Sequence, residues 1–274
     1  MVTVAYLGPE HTNTHVAAQK RFGRRARYVH APTVDEAFHL VERRQADYGV
    51  VPIENSLEGS VAHTLDRFID FVDTPIAIHG ETEQPIHHCL LLARGVNLSG
   101  VQAVFSHPQA LAQCHRWIRR TLPRATLRET SSTADAVSHV MQQPKRRAAI
   151  GRRELAAPHR LRAIAIPEER DNKTRFLILG RGKPRRSRRN KTSILFALKD
   201  KPGALHDALV PFKRERINLT RIESRPSKRK AWEYFFFIDV EGHESEPRLK
   251  RAIKVLQRST SILRILGSYP ITTR

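Results

Sequence analysis

The chain has 274 residues, 40% of them hydrophobic and 7% aromatic, which suits a globular protein of two or three domains with cores of their own. No apolar run approaches a membrane span. The two cysteines, Cys89 and Cys114, form no paired motif, so neither a disulfide framework nor a zinc site is indicated. The formal net charge of +21 raises nucleic-acid binding as a rival function. The basic residues are scattered, however, without RNA-binding aromatics or zinc-finger spacing. A compositional bias that attracts anionic substrates is the preferred reading.

Residues 2–7 read as a strand, with no basic region or cleavage site ahead of it, so a cytoplasmic protein is expected. Gly8-Pro9-Glu10 turns into a helix reaching about residue 21. Thr33 caps a helix with Val34, Ala37, Phe38 and Val41 on one side, and residues 47–53 form the next strand. Ser60 is read as the cap of a helix with Val61, Leu65, Phe68 and Val72 at helical spacing. Residues 75–78 lead back into extended chain. The pattern is βαβα with a largely parallel sheet. In a second lobe, 86–93 and 101–105 are apolar strands. Ser106-His107-Pro108 opens a helix with Leu111, Cys114, Ile118 and Leu122 inward, and Ser131-Ser132-Thr133 opens another. Residues 148–151 and 161–166 complete this lobe.

The stretch 171–180 then changes from polar to apolar. Its second half reads as a buried strand ending in glycine, so Thr174 and Arg175 stand where a loop enters a sheet, and their donors can reach an anion. The same residues also fit an ordinary strand entry with a solvated arginine. Hydroxyl-bearing helix starts recur at Thr12 and Thr14, Ser60, Ser106 and Ser131-Ser132. Each side chain can cap its own helix, and several helix N-termini at one cleft would hold a carboxylate. The loop 52–60 is polar after a buried strand. Glu54 and Asn55 stand at the carboxyl end of that strand, either to meet a ligand or to tie down a turn.

The 14 histidines form no metal-binding pattern. His11 and His15, and His87 and His88, lack carboxylates at ligand spacing. No phosphate-binding glycine motif follows a strand. No metal and no cofactor are therefore expected. Residues 180–191, rich in basic residues with Pro184 and two glycines, read as a solvated linker. The remaining chain reads strand 192–198, helix 204–214, strands 217–223 and 232–240, helix 248–257 and strand 262–266, a ferredoxin-like βαββαβ unit.

Together, five motifs resemble prephenate dehydratase with a C-terminal ACT regulatory domain. They are residues 4–10, residues 51–56, residues 106–111, Asn172-Lys173-Thr174-Arg175-Phe176, and the pair Gly203-Ala204-Leu205-His206 with Ile222-Glu223-Ser224-Arg225-Pro226. The resemblance spans nearly the whole chain. It implies conversion of prephenate to phenylpyruvate, water and carbon dioxide in phenylalanine biosynthesis. It also implies a two-lobed α/β catalytic region like type II periplasmic binding proteins, followed by an α+β ACT domain. The boundaries implied are 1–180 for the catalytic domain (lobe one 1–78 and 168–180, lobe two 79–167), 181–191 for the linker and 192–274 for the ACT domain.

By the same resemblance, Thr174 stands at the leaving hydroxyl, with Glu54 as the other candidate proton source. Asn55, Ser56, Ser106, Gln109, Arg175 and Phe176 line the substrate, with Arg175 pairing a carboxylate. L-Phenylalanine, as allosteric effector, is held by Gly203, Ala204, Leu205, His206, Asn218, Leu219, Glu223, Ser224, Arg225 and Pro226 in a homodimer or homotetramer built through ACT domains. No nucleic acid and no membrane are expected as partners. The family's glycine-threonine-phenylalanine after the first proline turn is replaced here by His11, Thr12 and Asn13, which keeps arogenate as an alternative substrate. A non-catalytic amino-acid sensor is a further alternative.

Overall fold

The computed structural model describes residues 1–167, 172–227 and 233–271. The first lobe runs β1 (Thr3–Leu7), α1 (Asn13–Phe22), β2 (Arg27–Ala31), α2 (Val34–Glu42), β3 (Tyr48–Asn55), the two-residue β4 (Gly59–Ser60), α3 (Ala62–Asp70) and β5 (Ile76–Pro85). The second holds β6 (Cys89–Ala93), β7 (Ala103–Ser106), α4 (Pro108–Gln113), α5 (His115–Thr121), β8 (Thr126–Glu129), α6 (Thr133–Gln142), β9 (Arg147–Gly151) and β10 (Leu161–Ala165). The strand β11 (Lys173–Arg181) belongs to the first sheet again, whose order is β2-β1-β3-β11-β5 with β4 paired to β3. β1, β2 and β3 are parallel, and β11 runs antiparallel to both β3 and β5. The second sheet has the order β10-β6-β9-β7-β8.

Local chemistry explains most of these elements. Thr33 caps α2 by accepting the Glu36 N–H, and Asp35 and Glu36 complement the dipole in its first turn. Ser132 caps α6 through the Asp135 N–H at 3.0 Å. Ser60 does not cap a helix. α3 begins at Ala62 without a side-chain cap, and the Ser60 hydroxyl instead donates to Glu223 at 2.7 Å. The helix expected after Ser106 is two short ones, broken at Cys114. β2 and β8 lie at the edges of their sheets, and β8 is fully exposed, so neither shows the apolar pattern by which a strand is read. Two segments cross between the lobes side by side, the Ile86 N–H bonding the Asn172 carbonyl at 2.8 Å and the Ile166 N–H that of His88 at 3.0 Å.

The C-terminal unit is β12 (Asn190–Leu198), α7 (Ala204–Arg214), β13 (Leu219–Pro226), β14 (Tyr234–Glu241), α8 (Pro247–Ser259) and β15 (Thr260–Pro270). Its antiparallel sheet has the order β13-β14-β12-β15. The expected start of β14 at residue 232 falls outside the described residues. One face of this sheet packs on α7 and α8 through Ile194, Phe196, Ile238, Phe212 and Leu256. The other face shares a core with the first lobe. Leu195, Ala197, Phe235, Phe237, Leu266 and Tyr269 join Val51, Ile53, Leu65, Phe68, Ile76 and Ile78 in one buried cluster. The approach is close enough that a Cβ on Gly267 would lie 2.2 Å from the Ile78 carbonyl oxygen. Arg264 adds hydrogen bonds to the carbonyls of Phe71, Thr74 and Ile76.

Candidate active-site cleft

Between the two sheets lies a cavity of about 220 Å³. From the first lobe it is lined by Leu7, Gly8, Thr12, Asn13, Thr14, Pro52, Asn55, Thr174 and Phe176. The second lobe contributes His107, Gln109, Ala110, Gln113 and Ser131 to Thr133, with Ile86 and His88 at the crossing segments. The starts of α1 and α6 therefore face one space. Their capping hydroxyls, Thr12 and Ser132, each satisfy one backbone N–H. The first N–H groups of each helix have no intrahelical acceptor, and the dipoles add positive potential, an arrangement that suits carboxylates. The lining contains no lysine or arginine.

Asn55 and Thr174 are cross-strand partners in the β3–β11 ladder. The Asn55 amide oxygen accepts the Leu57 and Glu58 N–H groups at 3.0 and 3.2 Å, which fixes the orientation of the amide. Its Nδ2 then donates to Asn172 Oδ1 at 2.7 Å, the Lys173 carbonyl at 3.2 Å and Thr174 Oγ1 at 3.0 Å. Because Thr174 Oγ1 already accepts from an amide, its own hydrogen is free to donate into the cleft. Phe176, 1% exposed, packs on Val4, Tyr6 and Val50 and supplies part of the wall.

Arg175 is not in the cleft. Side chains alternate along a strand, and the guanidinium leaves β11 on the face opposite Thr174. There it donates to Glu54, to Glu81 at 3.3 Å and to Asp239 of the C-terminal sheet at 3.4 Å. Burial alone would disfavour its charge, but Asp239, Glu81 and Glu54 outweigh that and hold its proton above the ordinary guanidinium range. The expectation that Arg175 binds a substrate carboxylate is corrected accordingly. The same geometry removes Glu54 as a buried acid, since it is half-exposed, ion-paired to Arg175 and outside the cleft lining. Lys191, expected in a solvated linker, is buried and bonds both Glu81 oxygens at 2.9 Å.

Ser106 is also corrected: it is fully buried, and its hydroxyl donates to the Ile150 carbonyl at 2.7 Å, tying β7 to β9. Ser56 accepts the Lys173 N–H at 3.0 Å and steadies the loop beside the cleft rather than lining it. Gln109 does line it, and with Gln113 it donates to Glu58, so the turn after β3 reaches across to α4. Gln113, His88 and His107 were missed. Gln113, one turn after Gln109 on α4, carried the signal. His88 was weighed for metal binding alone. Among the described residues, no group of three or more His, Cys, Asp or Glu has the geometry to hold a metal.

At the start of α1, His11 adopts a left-handed φ of 64°, a conformation that suits the glycine usual at this point better than histidine. Its N–H donates to His15 Nδ1 at 3.0 Å. His15 stacks on Tyr6 with ring centroids 4.4 Å apart. Burial holds His15 below the ordinary histidine range, and burial followed by the Glu10 charge pushes the Tyr6 hydroxyl up to about 12. Both are neutral at pH 7, His15 lying within the first turn of α1 and Tyr6 beneath it. Asn13 accepts from Arg152 of the second lobe at 3.2 Å, a bond that phenylalanine at this position could not make.

The residues expected to hold an effector divide. Gly203, Ala204, Leu205 and His206 line a hollow of about 770 Å³ with Leu198, Lys199, Tyr234 and Phe236. Asn218 lies at a separate hollow of about 240 Å³ beside Arg188, Arg189, Arg216 and Arg248. Leu219 packs on the α7–α8 core. Glu223 and Arg225 turn the other way. Glu223 accepts from Ser60, and Arg225 donates to both oxygens of Asp66 at 3.0 and 3.3 Å. Ser224 and Pro226 are exposed on the edge strand β13.

Two α/β lobes around a donor-lined cleft, with a ferredoxin-like unit docked on the first, define a two-lobed cleft protein for a small organic acid with an appended α+β domain. Residues 4–184 match the family Prephenate dehydratase, and residues 192–258 match the ACT domain. The bifunctional chorismate mutase/prephenate dehydratase of Aquifex aeolicus is 44% identical over 271 residues, covering 98% of this chain and 74% of that protein. The prephenate dehydratase of Methanocaldococcus jannaschii is 42% identical, over 81% of each chain. The crystal structure of a prephenate dehydratase from Arthrobacter aurescens in complex with L-Phe has a TM-score of 0.89 and 36% identity, over 98% of this chain and 90% of that one.

The chain belongs to the prephenate dehydratase family, in its form with a C-terminal ACT domain. It is a decarboxylating carbon–oxygen lyase that forms phenylpyruvate from prephenate in phenylalanine biosynthesis. Arogenate dehydration and a non-catalytic sensor are not favoured by these relatives.

Proposed function

We propose that prephenate reacts at Thr174, between the starts of α1 and α6. In the reaction the ring carboxylate leaves as carbon dioxide, its bonding electron pair enters the ring, and the ring hydroxyl departs with one added proton as water. The observation that carries this reading is the Asn55–Thr174 bond, which frees the threonine hydrogen to donate to the departing hydroxyl. Helix N-termini and Gln109 hold the carboxylates, and Phe176 supports the ring. Glu58, bonded to Gln109 and Gln113, helps keep the two lobes closed.

The chain is read as a catalytic domain over 1–180, a linker over 181–191 and a regulatory domain over 192–274. L-Phenylalanine binds at the hollow lined by 203–206, with its carboxylate on the α7 N-terminus. Gly203, at φ 75°, permits the turn there. Two chains pair through the exposed edge of β13, so that Ser224 and Pro226 face the partner's effector site in a homodimer or homotetramer. The enzyme acts in the cytoplasm and uses no nucleic acid. Among the described residues, no helix is long and apolar enough to cross a membrane.

The test is phenylpyruvate formation from prephenate by the full chain, with arogenate alongside, in the presence and absence of L-phenylalanine. Turnover of prephenate is expected to fall with added L-phenylalanine, with a coupling of about 1–3 kcal/mol, and this response is expected to disappear in Gly203→Val. Inhibition that survives Gly203→Val unchanged would place the effector elsewhere.

A further inference from the structure

The ladder that holds the reacting hydroxyl is gripped on its other face by the C-terminal sheet. Thr174 pairs with Asn55, and the next residue, Arg175, pairs with Glu54. The first pair lies in the cleft, and the second faces the C-terminal sheet. The register of β11 against β3 shifts immediately after Arg175. A bulge leaves a strand locally free to twist and re-aim its side chains, so the aim of Thr174 depends on what holds Arg175. Its guanidinium is anchored from β3 by Glu54, from β5 by Glu81 and from β14 by Asp239. Asp239 is itself fixed, its other oxygen accepting from Ser193 at 2.6 Å, while Ser193 bonds the Tyr269 hydroxyl at 2.8 Å. Lys191 holds Glu81, and Arg221 stands 3.9 Å from Glu54. Three cations and three carboxylates thus balance at the junction of the two sheets.

We infer that Arg175 is a positioning residue, which through Glu54, Glu81 and Asp239 fixes the aim of Thr174 and makes the rate of dehydration depend on how the C-terminal domain is seated. Buried ion clusters add little net stability over an apolar junction, and their best-attested use is to specify one arrangement. Here the arrangement specified is the register of the strand pair that carries the reacting hydroxyl. The guanidinium suits this task because its planar fork reaches several carboxylates at once, which a lysine ammonium cannot do in the same geometry.

The inference rests on Thr174 being the donor in the cleft, and the experiment separates the two. Steady-state kinetics on prephenate are measured for the full chain as Arg175→Lys, Thr174→Val and the double variant, with thermal melting to verify folding. Arg175→Lys is expected to lower kcat about tenfold with KM within about twofold of the parent, since it does not touch substrate. In the Thr174→Val background the same change is expected to cost less than about twofold, because the side chain through which Arg175 acts is gone. Where Arg175→Lys does not fold, Asp239→Asn replaces it in the cycle with the same expectation. Additive losses would overturn the inference, as would a tenfold rise in KM with kcat retained, which would return the arginine to the substrate. Full turnover by folded Thr174→Val alone would overturn the reading of the cleft, and this inference with it.

Discussion

Asn55 shows how a residue visible in the sequence acquires its role from geometry. Its place at the carboxyl end of a buried strand marked it as a candidate donor to a ligand, yet all its amide hydrogens are spent on Asn172, Lys173 and Thr174. It acts on the hydroxyl of Thr174 instead. Asn55→Asp keeps the shape but turns the donor into an acceptor, so Thr174 would donate to the introduced carboxylate rather than into the cleft. The expected result is a fall in kcat of roughly tenfold to a hundredfold, with a stability loss of about 1–3 kcal/mol from the abandoned carbonyls. Unchanged kcat in the folded variant would mean that Thr174 does not need its partner. Thr174 and Asn55 were legible at a strand entry and a strand end, whereas Gln109 and Phe176 were placed at the cleft by the family resemblance alone; all four line it. Arg175 and Glu54 were misplaced because a motif read along the chain does not show that successive strand residues face opposite sides of the sheet. Ser106 was misplaced because its hydroxyl is buried and bonded to the Ile150 carbonyl of the neighbouring strand, which a motif does not reveal.

At the scale of elements, the starts of α1, α2 and α6 were legible singly, as hydroxyls before apolar periodic runs, whereas Ser60 and Ser106 cap no helix. The meeting of α1 and α6 at one cleft depended on two sheets that the chain crosses between, which no local pattern encodes. The βαββαβ order of the C-terminal unit was readable from periodicity. Its docking was not, because a strand buried on both faces looks the same whether helices or another sheet cover it. Leu195, Ala197, Phe235 and Phe237 cover Val51, Ile53 and Phe68 in one core, and Arg225–Asp66 and Lys191–Glu81 close its polar border. Removing the chain from Thr192 onward would uncover that face. A protein ending at Lys191 is therefore expected to melt roughly 10 °C or more below the full chain, or to aggregate, since several buried apolar side chains lose their partners. An equally stable, active truncated enzyme would show that the shared core contributes little.

Across the whole molecule, the charge of +21 has no counterpart in the cleft lining, which is free of lysine and arginine. Some of the cations work inside the fold. Arg264 caps carbonyls of the first lobe, while Arg175 and Lys191 join the two sheets. The exposed cations surround the protein with positive potential that draws dianions toward it without selecting among them. In the proposed reading, selection lies with helix N-termini, Gln109 and the Thr174 hydroxyl. The measurement that tests this most directly is turnover of prephenate to phenylpyruvate by Thr174→Val, which keeps the shape and loses the donor. The predicted result is a folded protein whose kcat is lower by a factor on the order of a hundred to a thousand. A folded variant that forms phenylpyruvate at the parent rate would contradict the assignment of the reaction to Thr174.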